Sequence, residues 1–271
     1  MKRFVLAALS SIFVLHAFAE TDNVGALWSE IGVTKALPYN LSLEGSFEER
    51  AIPSRDWKNR WSVGVGLNYK VNKYFKVGVG YTFIDKHNQE EWKNHYSSKS
   101  GRWNGFNIDA PNWAHRHRVT LDLASSVRLW KTLRIGVRER YQYTYQMPRT
   151  VDRIKLRDPV SNLNRRHDFD NFDEIEYTTD RKLAKNRHLL RSRLKLSIDK
   201  KGWKCEPYVS VEAHNDLAND MHLDKIRSAV GFEYSFTKQH QIGVAYLFNH
   251  ETDDDGDMNT HVISVGYNFK F

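Results

Sequence analysis

Four residues around one short stretch, His214, Asp216, Asp220 and His222, are of the types that activate water. An imidazole beside a carboxylate takes a proton from water, which is hydrolytic chemistry. Neither Gly-x-Ser-x-Gly nor His-Glu-x-x-His accompanies them, so the chain writes no nucleophile elbow and no zinc-protease helix. His and Asp are also ordinary residues of an exposed rim. No catalytic residue is assigned, and a hydrolase with a rim-located His/Asp site stands as the alternative function. A second candidate, Asp253-Asp254-Asp255-Gly256-Asp257, offers oxygen ligands to a divalent cation. It lacks the twelve-residue spacing and closing Glu of an EF-hand loop, so it reads as an exposed acidic turn. No metal and no cofactor is expected. A third is residues 88–113, with Trp92, Tyr96, Trp103, Phe106 and Trp113 among Asn, Ser and Lys. Rings beside amides suit stacking on sugars, but the plainer expectation is that they pack the loop onto itself or fold it into a lumen. Residues 148–185, long and heavily charged, read as a solvated cap.

The elements that must position these groups are strands. The last eleven residues alternate without a fault: Ile263, Val265, Tyr267, Phe269 and Phe271 share one face, and Val262, Ser264, Gly266, Asn268 and Lys270 the other. Period two over this length is a strand. The pattern recurs backwards along the chain, predicting strands near 24–36, 40–50, 58–70, 75–87, 114–129, 133–147, 186–199, 203–215, 222–236, 240–250 and 260–271. Val-Gly-Val-Gly at 63–66 and again at 77–80 is one hairpin unit used twice. Connections alternate between short (Pro38-Tyr39, Asn72-Lys73, Lys131-Thr132, 200–202, 237–239) and long (51–57, 88–113, 148–185, 216–221, 251–259). Short inner turns and long outer loops are the habit of outer-membrane barrels. Aromatic residues fall at both ends of the apolar faces: Trp61, Phe83, Tyr143, Tyr145 and Phe248 at one, Tyr69, Phe75, Trp203, Phe269 and Phe271 at the other. Such girdles belong at two interfaces. The expected fold is therefore an all-β, antiparallel, up-and-down transmembrane barrel of 10–12 strands. Eleven segments sit badly with the even count of single-chain bacterial barrels. Either a twelfth strand hides in a loop, or the first segment lies in the lumen and ten strands close.

The ends and the composition agree. Lys2 and Arg3, the apolar run Phe4–Leu15 and Ala17-Phe18-Ala19 read as a cleaved export signal over 1–19, leaving 20–271 as the barrel. Loss of Lys2 and Arg3 takes the formal charge from +8 to +6. A mean hydropathy of -0.65 does not exclude a membrane barrel, since each strand shows lipid only every second residue. One cysteine, Cys205, excludes an intramolecular disulfide. No nucleic-acid motif accompanies the basic balance, so no nucleic-acid partner is expected. The charge instead suits a basic lumen and loops that face lipopolysaccharide. The expected location is the outer membrane of a Gram-negative cell. The expected partners are outer-membrane lipid, lipopolysaccharide and, through the C-terminal strand, the outer-membrane assembly machinery; a monomer is favoured.

With the strands placed, the chain resembles an uncharacterised family of Gram-negative outer-membrane β-barrel proteins catalogued as a domain of unknown function. The likeness is carried by Leu27-Trp28, by Trp61-Ser62-Val63-Gly64-Val65-Gly66-Leu67-Asn68-Tyr69-Lys70, by Arg138-Glu139-Arg140-Tyr141 and Arg191-Ser192-Arg193-Leu194, and by Gly266-Tyr267. The resemblance implies a barrel in the outer membrane and brings no activity and no functional residues.

Strand parity turns one face inward. It predicts a basic wall of Arg116, Arg118, Arg128, Arg134, Arg138, Arg140, Arg187, Arg191, Arg193 and Lys195, opposite Glu30, Glu44, Glu48, Glu206, Glu212 and Glu233. Such a lumen either fills with meeting side chains or leaves a narrow, anion-preferring channel for small solutes.

Overall fold

The computed structural model describes residues 22–52, 60–98, 101–157, 172, 174–252 and 258–271. The expected signal segment and the acidic turn 253–257 lie outside the described residues. Fifteen strands are present among them: β1 (Asp22–Ala36), β2 (Leu41–Ala51), β3 (Arg60–Lys70), β4 (Phe75–Asn88), β5 (Glu91–Tyr96), β6 (Trp103–Asp109), β7 (Asn112–Arg128), β8 (Leu133–Gln146), β9 (Arg149–Arg157), β10 (Glu174–Lys182), β11 (Lys185–Ile198), β12 (Cys205–Asp216), β13 (His222–Ser235), β14 (His240–Glu251) and β15 (Met258–Lys270).

Eleven of them close a barrel in the order β1-β15-β14-β13-β12-β11-β8-β7-β4-β3-β2. They are the eleven alternating segments of the sequence. Neither a twelfth strand nor a luminal first segment resolves the odd count: β1 stands in the wall and pairs with β15 in parallel, from Asp22↔Met258 to Thr34↔Lys270. An odd wall of otherwise antiparallel strands must contain one parallel pair, and here it falls where the two ends of the barrel meet. The Phe271 amide donates to the Thr34 carbonyl at 2.9 Å, and the Ala36 amide donates to the Phe271 carbonyl at 3.0 Å, extending the seam to the last residue.

The wall is apolar outside and polar inside. On β3, Val63, Val65 and Leu67 point out and are exposed, whereas Ser62 points in and is buried. The inward positions between them are Gly64 and Gly66, matched by Gly78 and Gly80 on β4. A side chain at Gly78 would put its Cβ 2.5 Å from the Asn68 Oδ1. At Gly64 and Gly80 it would meet Ser46 Oγ and Thr120 Oγ1, both at 2.8 Å, so small polar side chains cover these glycines.

Residues 88–113 and 148–185 are not simple loops. β5, β6, β9 and β10 form a second sheet in the order β10-β9-β6-β5. That order repeats the order of the barrel strands they extend, β11-β8-β7-β4. Four neighbouring strands therefore continue beyond the rim as two long hairpins. All four are interrupted near the same line, at 89–90, 110–111, 147–148 and 183–184. Pro111 and Pro148 stand in that crease, where a missing N–H is tolerated. One face of this rim sheet carries Ile108, Leu156 and Trp103, which form a buried cluster with Phe172, with Trp92, Phe106 and Ile154 packed against it. Three of the five aromatics of 88–113 are thus used in packing the extension onto itself. Trp113 instead packs at a tilt against His87 (centroids 5.0 Å apart, planes at 56°), and Tyr96 is exposed.

Candidate functional site

The inward side chains form stacked layers of ion pairs. At the end with the short turns, Arg128 and Arg134 both donate to Asp199, and Glu206 accepts from Ser197 Oγ at 2.6 Å. One layer further in, Lys195 meets Glu233 at 2.6 Å, and Lys76 meets Glu44 at 3.2 Å. At mid-height Arg140 grips Asp122 with two bonds, of 2.6 and 2.9 Å. Glu212 is nearly inaccessible (3 %) and collects Arg138 at 2.7 Å, Arg191 at 2.5 Å and His214 at 2.8 Å. Higher still, Glu48 takes two bonds from Arg50, of 2.9 and 3.0 Å, and one from Arg60 at 3.2 Å. The Arg50 guanidinium lies over the Trp28 ring at 3.7 Å and that of Arg227 at 4.9 Å, a double cation–π contact. Towards the long connections Arg187 pairs with Asp224.

Within these layers lies a cavity of about 570 Å³. Its lining includes Glu30, Glu44, Glu48, Arg118, Arg138, Arg140, Arg191, Arg193, Lys195, Glu212 and Glu233, together with Trp28, Arg50, Arg60, Asp122 and Arg227. That is nine cationic side chains against six carboxylates, a formal excess of three positive charges. Arg116, Arg128, Arg134, Arg187 and Glu206 do not line it. Arg128, Arg134 and Glu206 sit at its short-turn end, and Arg116 and Arg187 beyond its other end. Sequence reasoning missed Arg50, Arg60, Arg227 and Trp28. The signal was present: Arg50 shares parity with Glu48, Trp28 with Glu30, Arg60 with Ser62, and Arg227 with Glu233.

The cavity is blind. Thr82, Leu247 and Ser264 line it. The next inward residues towards the long connections, Ile84, Asn249 and Val262, are 1 %, 1 % and 0 % exposed. Asn249 Oδ1 accepts from Arg227 Nε at 2.7 Å, tying that packing to the ceiling. In the other direction a smaller space of about 280 Å³, sharing Glu30, Tyr208, Glu233, Ser264 and Asn268 with the first, continues towards the short turns. Two cavity arginines are poorly neutralised. Arg193 makes no hydrogen bond or ion pair with a described residue, and Arg118 makes one long bond, to Thr144 Oγ1 at 3.4 Å.

The rim cluster does not assemble. His214 points inward to Glu212. Asp216 accepts from the Ala218 amide at 2.9 Å, His222 faces Asp224 at 3.4 Å, and Asp220 occupies a turn at φ 44. Among the described residues no group of three or more His, Cys, Asp or Glu is placed to hold a metal ion.

The rim sheet has its own charged face, opposite the apolar one. Asp109 accepts from Arg153 at 2.6 Å and Lys182 at 2.7 Å, with Lys93 at 3.6 Å. Burial alone would raise its pKa; the bonds from Arg153 and Lys182 outweigh this and hold it at about 2.

A family model described as "Protein of unknown function (DUF2490)" matches residues 25–260. No curated protein matches the chain.

Proposed function

Because the chain belongs to the DUF2490 family, whose description assigns no activity, we propose from the geometry that it is an integral outer-membrane barrel, closed at rest towards the cell exterior, with a basic vestibule that opens to the periplasm and admits small anions. The observation that carries this reading is the inverted wall. Val63, Val65, Leu67, Val79, Leu121, Leu123, Ile263 and Val265 are all exposed on the outside, around an interior of ion pairs. Monomeric soluble proteins rarely leave an apolar patch of more than a few hundred Å² in water, whereas a bilayer covers such a band. The export-signal pattern at 1–19 and the alternating apolar face of β15, from Ile263 to Phe269, support the same compartment, with lipopolysaccharide and outer-membrane lipid as surroundings and the assembly machinery as reader of that strand. Short turns face the periplasm in such barrels, which puts the mouth of the cavity on that side. The excess of cations lining it favours anions, because a narrow, low-dielectric space focuses the field.

Membrane fractionation and planar-bilayer recording test this. The protein fractionates with the outer membrane and, unmodified, shows little steady conductance. Replacing Arg50 and Arg227 with Gln frees Trp28, loosens the ceiling and opens an anion-selective current, with selectivity greatest at low salt, where screening is weakest. Recovery as soluble periplasmic material would sink the membrane reading. A cation-selective current would sink the anion reading.

A further inference from the structure

The positive excess is not spread evenly through the lumen. Arg50, Arg60, Arg118, Arg191 and Arg227 converge on the blind end, and the carboxylates there are Glu30, Glu48 and Glu212, two fewer than the guanidinium groups. Two of these are already engaged: Glu48 by Arg50 and Arg60, Glu212 by Arg138, Arg191, His214 and, at 3.8 Å, Arg227. Arg118 has Arg60, Arg191 and Arg50 for electrostatic neighbours and Glu48 as the opposing charge. Its only hydrogen bond among the described residues is the long one to Thr144. The Arg60 Nε is buried and has no hydrogen-bond partner. Guanidinium groups gathered away from bulk water cost free energy unless an anion meets them with matched hydrogen bonds. A guanidinium fork fits two oxygens of one tetrahedral group, and a local surplus above one charge calls for more than a monovalent ion. Gly64, Gly66 and Gly80 also line the cavity, on a side where the neighbouring inward side chains, Ser46, Thr82 and Thr120, are small.

We propose that the blind end of the lumen binds a doubly charged tetrahedral oxyanion, a phosphate either free or at the end of a small ester, and that Arg118 is the guanidinium this ligand completes. The proposal rests on the reading of the lumen as an anion vestibule and adds the ligand class and its seat.

The test is calorimetric titration of the purified full-length barrel in detergent at low salt, with inorganic phosphate, with glycerol phosphate and with choline chloride. The unmodified protein binds phosphate saturably, at about one per chain, and ignores choline. Arg118→Gln weakens binding by about tenfold or more, equivalent to about 1.4 kcal/mol. Arg128→Gln, at the far end beside Asp199, leaves binding unchanged. The tighter of the two phosphates names the source, free ion or ester. Absence of saturable binding to the folded unmodified protein overturns the proposal, as does an Arg118→Gln barrel that binds as tightly as the original. Should Arg118→Gln fail to fold, Arg118→Lys keeps the charge, loses the fork and must still weaken binding, and sulfate must compete with phosphate on the unmodified chain. A chain that fractionates with the outer membrane but ignores phosphate sinks this inference alone. A soluble chain sinks the reading beneath it.

Discussion

Glu212 shows how much a single luminal carboxylate holds. It is nearly inaccessible, and Arg138, Arg191 and His214 all close on it. Replacing it with Gln keeps the shape and removes the charge that three guanidinium groups share, those of Arg138, Arg191 and Arg227. Breaking a buried pair in this way costs about 3–5 kcal/mol, so Glu212→Gln should lower the unfolding midpoint in denaturant markedly. Glu44→Gln is the contrast. Its bond to Lys76 is 3.2 Å long, but both side chains are nearly half exposed, and the expected loss is under about 1 kcal/mol. Parity alone identified Glu212 and Glu44 as inward. It could not rank them, because depth along the barrel and the choice of partner depend on register between strands. Glu206 makes the same point: it faces inward but sits near the turns, on Ser197, away from the main cavity.

Among the elements, the eleven wall strands were legible to within about two residues, since an apolar outer face and a polar lumen force strict alternation. The rim sheet was not. Its strands are short, β5 alternates charged with aromatic and amide residues, and the crease at 89–90, 110–111, 147–148 and 183–184 breaks the period just where each segment would have been recognised. The aromatic residues were visible, and so was their tendency to pack together, but not the four strands that do it. Asp109 gives this sheet a measurable acid limit. Its folded pKa of about 2 lies below the ordinary value of about 3.9. The stabilisation is therefore complete above the ordinary value and is lost as pH falls through 4 towards 2. Hydrogen exchange at the Ile108 and Ile154 amides should accelerate over that interval. Asp109→Asn should remove most of that dependence and cost about 1.5–3 kcal/mol at neutral pH, the contribution of hydrogen bonds between charged groups. An unchanged exchange profile in the variant would show that Asp109 does not anchor the sheet.

For the whole molecule, the sequence left the strand count open at ten, eleven or twelve. The reason is physical: alternation records which side of a wall a residue faces, but not which strand lies beside it. The pairing of β1 with β15 joins segments more than two hundred residues apart. Ser29 and Val265 are partners across this seam, and both point outward. With Cys205 replaced by Ser, Ser29→Cys together with Val265→Cys should oxidise to an intramolecular disulfide, seen as a mobility shift that reductant reverses. A folded barrel that cannot be cross-linked there would put β1 outside the wall.

The parallel seam also decides how the barrel resists force. β1 begins beside the beginning of β15, so Asp22 and Phe271 stand at opposite ends of the wall. Tension drawn between them runs along the strands and slides β1 and β15 past each other, straining the whole row of seam bonds together. In the hairpins, by contrast, a pull on the two free strand ends peels one bond after another. The place where the chain closes on itself is thus loaded in shear, the geometry in which a row of weak bonds is mechanically strongest.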